Sequence, residues 1–263
     1  MPHEMILTET HDRVGVITFN RPDKLNAMHS TMMAEMRDQI ETWNSDPAIG
    51  AIVLTGTGRA FCAGADLGGW NQGIEQREAG QEVERRPQEE SWVLFCQRSK
   101  PLICAINGPS IGAGLTIALP CDVRIASEQA RLSMRFVRVG VIPELASTHL
   151  LAHIVGFGQA MELMLSGKIV DGMEAARIGL VNRVVPHEKL MEEAVAIARE
   201  IAFNPTESLF AIKKLAWQNL DEGDIMTLHK REGEEFTAAM ARPNFKEAVR
   251  AFLEKRQPDF HKS

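Results

Sequence analysis

Residues 102–126 read LICAINGPSIGAGLTIALPCDVRIA, and the order of residue types in this stretch organises the whole chain. Leu102–Ile106 is a short apolar run between Pro101 and the turn pair Asn107-Gly108, which fits a buried strand better than a helix. Gly112, Ala113 and Gly114 carry almost no side-chain bulk, and the apolar residues 115–119 stop at Pro120, which cannot continue a helix interior. A strand, a glycine-rich bend, a short helix and a second strand follow from that order. The first amides of such a helix have no partners within it and lie at the positive end of its dipole, so they attract an anion or a developing oxyanion. Small residues let a ligand reach them. Close packing of strand on helix is an equally good use of the same residues.

Upstream, residues 5–8 and Val14–Phe19 are β-rich runs separated by His11-Asp12-Arg13, the pattern of an antiparallel hairpin. Met33, Met36, Ile40 and Trp43 follow a 3-4-3 spacing, which predicts an amphipathic helix over 30–44 with Ser30 or Thr31 as its cap and methionines as core filler. A buried strand over 51–55 runs into GTGRAFCAGADLGG at 56–69. Gly56-Thr57-Gly58 begins like a dinucleotide fingerprint, but Phe61 stands where the third glycine belongs and no Walker lysine follows. A nucleotide phosphate loop is therefore not expected. Residues 70–100 are rich in Gln, Glu and Arg with Pro87 in their midst, and read as a surface lid or a solvated connector with a helical latter part.

Downstream, Pro143-Glu144 precedes a helical pattern over 146–155. His149 and His153 lie at i and i+4 there, but Leu150 follows His149 where the zinc-protease signature has Glu, so the pair reads as a polar helix edge and no metal is expected. Helices over 158–165 and 172–178 end at Gly167 and Gly179, and a strand follows over 180–185. Leu190, Ala194, Ile197 and Ile201 then mark a helix, and Asn204-Pro205-Thr206-Glu207 starts another with a cap and a first-turn proline. Helices over 224–241 and 244–256 complete the chain. Because strands stop near residue 185, the expected organisation is an α/β core over 1–186 and a helical region over 187–263 that serves self-association.

Composition narrows the function classes. With 44% hydrophobic residues in a chain of 263, a sizeable core is available. A formal net charge of −6 argues against nucleic acid as a partner. Cys62, Cys96, Cys104 and Cys121 show no C-x-x-C spacing and read as reduced thiols. The first residues lack a basic stretch followed by an apolar one, and no apolar run approaches the ~18 residues of a spanning helix, so a soluble cytoplasmic protein is expected.

The loop AFCAGADL at 60–67, together with INGPSIGAGLTIALPCDVRIA at 106–126, resembles the crotonase family of enoyl-CoA hydratases and isomerases. NRPDKLNAM at 20–28, LSGKIVDGMEAARIGLVNRVVP at 165–186 and AFLEKRQPDF at 251–260 extend the resemblance from end to end in the family's order. It implies a spiral of strand–strand–helix units and a helical C-terminal region that assembles trimers, often paired into hexamers. It also implies an acyl-CoA substrate, with coenzyme A entering as part of that substrate and no other cofactor or metal. The thioester oxygen would lie between the backbone N–H groups of Ala65 and Ala113. Asn26, Ala27, Ala63, Asp66 and Leu67 would line the coenzyme A site, although Asp66 also fits as a cap of the helix that follows it. Phe236, Phe252 and Lys255 would meet the nucleotide from a neighbouring subunit, unless the two phenylalanines are helix core. The family's hydratases use two glutamates, and Thr116 and Phe136 stand at those positions. Glu144 instead matches the acid of the 3,2-enoyl-CoA isomerases. The expected reaction is therefore a 3-to-2 double-bond shift with Glu144 carrying the proton. Hydration or another lyase or hydrolase reaction is the alternative, and a non-catalytic CoA- or RNA-binding relative is a third.

Overall fold

β1 (Ile6–His11) and β2 (Val14–Phe19) form the expected hairpin in the computed structural model, which describes residues 3–66, 68, 71, 75, 76, 78, 79 and 90–261. β1 runs to His11, so the turn shrinks to Asp12-Arg13, with Asp12 in the left-handed region at φ 55°. β3 (Ala51–Gly56), β4 (Leu102–Ile106), β6 (Val123–Ser127) and β9 (Arg183–Val185) then add in parallel, giving the order β1-β2-β3-β4-β6-β9. The central strands are apolar at almost every position because both faces of the sheet are covered.

Period-two alternation divides those residues between two layers. Phe19, Ile52, Leu54, Leu102, Cys104 and Ile106 face one core, with Met32, Met36, Ile40 and Trp43 of α1 (Ser30–Ser45) packed into it. Val14, Val16, Val53, Ile103 and Ile125 face the other, which is closed by Leu190, Ala194, Ala198 and Ala202 of α7 (Leu190–Ala202). Packing of the sheet thus continues past residue 186, where the strands end.

A second, smaller sheet is formed by β5 (Pro109–Ile111), β7 (Arg131–Ser133) and β8 (Val170–Asp171). The chain places β4 in the first sheet, β5 in the second and then turns through α3 (Ala113–Thr116); β6 and β7 repeat the step before α4 (Ser147–Val155) and α5 (Phe157–Ser166). The spiral of strand–strand–helix units expected from the resemblance is this alternation.

Several local expectations are corrected. The cap of α1 is His29, whose Nδ1 accepts from the Thr31 N–H at 3.2 Å, because the chain turns into the helix one residue earlier than Ser30. Met32 rather than Met33 is buried, and Met33 faces a cavity. The helix after the glycine-rich bend begins at Ala113 and has only four residues. The latter part of the 70–100 segment is α2 (Trp92–Arg98), whose Trp92 is buried and donates from its indole to the Ile117 carbonyl at 2.9 Å, so this part belongs to the core. A lid would have to involve residues before it, most of which lie outside the described residues. All four cysteines are free and buried, in keeping with their reading as reduced thiols.

α6 (Gly172–Arg177) leads into β9, and α8 (Thr206–Asn219), α9 (Ile225–Met240) and α10 (Pro243–Leu253) follow α7. Lys213 of α8 is buried and donates to Asp122 Oδ2 at 2.7 Å, and that carboxylate also accepts the Leu102 N–H at 2.7 Å. α9 and α10 leave Ile225, Met226, Phe236, Phe252 and Leu253 exposed. No helix among the described residues is long and apolar enough to cross a membrane.

Candidate active site

Two small-residue loops are stitched side by side. Ile111 N–H donates to the Cys62 carbonyl at 3.0 Å, Met28 N–H donates to the Gly64 carbonyl at 2.7 Å, and Cys62 and Ser110 form an isolated parallel bridge. Gly114 permits the contact, because a Cβ there would collide with the Cys62 carbonyl. Gly112 turns the chain at φ 53° and ψ −119°, which presents the first amides of α3 on the cavity side. Among the described residues, neither the Ala65 nor the Ala113 N–H donates a hydrogen bond, and both residues line the same cavity of about 640 Å³. Two unspent donors beside a cavity are what a developing oxyanion needs.

Asn26 supports these loops from behind. Its side chain accepts the Arg21 N–H at 2.9 Å and donates to the carbonyls of Thr57 at 3.0 Å and Ala60 at 2.7 Å. The residue is fully buried, both of its amide donors are spent on these carbonyls, and it does not line the cavity, so the expectation that Asn26 lines the coenzyme A site is corrected: its side chain clamps two loops together. Ala27 contributes its carbonyl to Arg21, and Ala63 faces the cavity. Asp66 accepts from Arg21 at 2.9 Å, and that hydrogen bond holds its carboxyl below the usual carboxylate range. It also accepts the Gly68 N–H at 3.2 Å, but its main partner is Arg21, and the helix it was expected to cap falls largely outside the described residues. Leu67 lies outside the described residues.

The opposite wall carries the acid. Glu144 is the only carboxylate among the described residues lining the cavity, and Thr116 Oγ1 donates to its Oε1 at 2.6 Å. Burial of the carboxyl pushes it above the ordinary glutamate value, and the Thr116 hydrogen bond partly opposes that rise. The residue keeps solvent access through the open cavity while its other sides meet protein. Phe136 lines the same cavity, and with Ile117, Val139 and Ile142 it gives the cavity that holds Glu144 apolar surface.

Glu144 does not cap α4. It precedes Leu145 and Ala146, which hold positive φ values of 55° and 53°, and its carboxylate turns to Thr116 rather than to the helix amides. Two consecutive non-glycine residues in that region cost about 1–3 kcal/mol each, so the surrounding packing must impose the turn. Strain of this kind is concentrated at sites where position matters.

Sequence reasoning missed Arg135 and Arg138, which line the cavity from the short 3-10 segment Arg135–Val139. Their i, i+3 spacing was the available signal, since it puts both on one face of such a turn. Phe236 and Phe252 are exposed on α9 and α10, which removes the reading of them as helix core. Within one chain neither they nor Lys255 line the Ala65–Ala113 cavity.

The family described as enoyl-CoA hydratase/isomerase matches residues 9–263. The chain is 36% identical over 263 residues to the "Probable enoyl-CoA hydratase" of Rhizobium meliloti, covering 99% of each. It is 33% identical over 267 residues to the crotonyl-CoA hydratase of Syntrophomonas wolfei, again covering 99% of each. Among solved structures, an enoyl-CoA hydratase subunit I from Geobacillus kaustophilus superposes with a TM-score of 0.85 at 33% identity, covering 98% of both chains. Paired backbone donors beside an acid-bearing cavity, a spiral of strand–strand–helix units and similarity along the whole length together place this chain in the enoyl-CoA hydratase/isomerase family of crotonase-fold acyl-CoA enzymes.

Proposed function

We propose that the chain shifts the double bond of a 3-enoyl-CoA thioester to the 2 position through a dienolate. The observation that carries this reading is Glu144, the single cavity carboxylate among the described residues, with Thr116 and Phe136 at the two positions where the family resemblance puts the acids of two-carboxylate hydration. Isomerisation removes a proton from C2 and returns one to C4, so one carboxylate with two lone-pair directions suffices. The raised carboxyl of Glu144 suits it to hold that proton between the two steps. Ala65 and Ala113 N–H hold the thioester oxygen as it gains charge, and each donor of this kind is worth ~10²–10³ in rate. Ala63 and Ala65 form one side of the acyl-CoA channel, and no second cofactor or metal enters the reaction.

Hydration is the second reading, and the names of the relatives favour it. Glu144 would then activate water alone, with Thr116 orienting the carboxylate. Incubation with matched 2-enoyl and 3-enoyl CoA thioesters separates the two. Isomerisation requires 2-enoyl product from the 3-enoyl substrate to form faster than 3-hydroxyacyl product from the 2-enoyl one, and the reverse order establishes hydration.

Assembly completes the proposal. The exposed apolar residues on α9 and α10 would be covered in a trimer, or a dimer of trimers, which brings Phe252 and Lys255 to a neighbour's coenzyme A. A monomer in sedimentation equilibrium that still binds acyl-CoA removes this part.

A further inference from the structure

His149 and His153 project from the same face of α4, with ring centroids 4.3 Å apart. Asp221, in the turn after α8, reaches them from the C-terminal helices. Its Oδ2 is 3.4 Å from His149 Nε2, and its Oδ1 is 3.6 Å from His153 Nε2. Both separations exceed the ~2.7–3.2 Å of an ordinary N–H···O hydrogen bond. Each, measured to a different oxygen of the one carboxylate, is near the roughly 3.4 Å that separates two ligands held at ~2.0–2.1 Å around a tetrahedral ion. The three donor atoms all lie within 4.8 Å of one another.

We propose that His149, His153 and Asp221 form a binding site for a divalent first-row transition-metal cation, with zinc the best match to the donor set. Two imidazole nitrogens and one carboxylate oxygen leave a fourth position for water, a ligand set zinc accepts readily. Magnesium and calcium are disfavoured because they take oxygen ligands. The i, i+4 spacing presents both rings with little rearrangement, and the side chains are 44% and 35% exposed, so an ion has access. None of the three residues lines the Glu144 cavity, so this site is separate from the proposed reaction. Its effect is mechanical: α4 starts three residues after Glu144, and a bound ion would tie that helix to the turn between α8 and α9. The histidine pair alone reads as a polar helix edge, and Asp221 changes that reading because it supplies the third ligand from a remote part of the chain.

The test uses the untagged, full-length protein stripped of metal with EDTA and titrated with Zn²⁺ by calorimetry, then with Co²⁺ by absorption. One equivalent of zinc per chain is expected, together with cobalt d–d bands and no thiolate charge-transfer band. His149→Ala with His153→Ala, and separately Asp221→Asn, should weaken binding by at least ~10–100-fold, the cost of losing even an outer partner of a metal ligand. All three positions are exposed, so the metal-free variants should melt as the wild type does, while zinc raises the melting temperature of the wild type alone. Absence of stoichiometric binding by the wild type, equal affinity in the folded variants, or a thiolate band would overturn the site.

Discussion

The two walls of the Glu144 cavity are made of different material. On one side, the Ala65 and Ala113 amides are backbone, fixed by the bridges around Cys62, Ser110 and Met28 and by the buried Asn26 clamp. On the other, Glu144, Thr116 and Phe136 are side chains on a strained turn, a short helix and a 3-10 segment. A backbone wall keeps its chemistry whatever residues surround it, provided the loops can approach. A side-chain wall changes its chemistry with a single substitution. On the proposed mechanism, stabilisation of the thioester enolate would therefore belong to the fold, and the fate of the proton to this particular sequence.

The largest expected effect falls on the side-chain wall. Glu144→Gln keeps the size of the residue and removes its basicity, so turnover should fall by ~10²–10⁴ while acyl-CoA binding persists. Product analysis beside a binding titration measures both, and unchanged turnover would mean that the proton is carried by another group.

The backbone wall should respond by ~10²–10³ when one donor is lost. Ala113→Pro does this at the first position of α3, where proline is tolerated, and the residue before it is glycine, which accepts the added restriction. Circular dichroism must show the fold intact. A folded, fully active variant would take the Ala113 amide out of the reaction.

Thr116→Val tests the junction between the walls, with a loss on the order of 10-fold, equivalent to one hydrogen bond to a charged group. The Thr116 donor favours the ionised carboxylate, so its removal should raise the acidic limb of the kcat/KM profile. The loss should be greatest at low pH and fade at high pH, where Glu144 is ionised in either protein. A uniform loss across pH would assign Thr116 to packing instead.

The smallest effect is on stability. Folding raises the Glu144 carboxyl, so the unfolded chain releases this proton first as pH rises. Stability from this group is complete below the ordinary glutamate value and is lost as pH climbs through the raised one. Solvent access keeps the penalty small. Glu144→Gln should therefore melt slightly higher at neutral pH, on the order of 1–2 °C, and equally at acid pH. A lower melting temperature at neutral pH would show that the carboxylate contributes more through Thr116 than burial costs.

Residues 102–126 made the fold legible because local chemistry is strong there. A five-residue apolar run cannot be a stable helix, and Gly112-Ala113-Gly114 before Leu115 leaves few options for the bend. The spacing of Leu190 and Ala194 likewise marked the buried face of α7, though not the sheet it covers. Asn26 was misplaced because a buried clamp and a ligand-facing amide look alike in sequence; only three backbone partners around its side chain tell them apart.

The family resemblance implied the pairing of two small-residue loops and the absence of a second matched acid beside Glu144; by itself, the sequence determined the strands, most helices and the small-residue bends. These follow from the period of apolar residues, from glycine and proline punctuation, and from residue identity, all of which act over a few positions. Tertiary structure decided that the Ala65 and Ala113 amides face one cavity, that Thr116 holds Glu144, and that Asp221 meets His149 and His153. Those contacts join residues from distant parts of the chain, and their distances depend on how every intervening element packs.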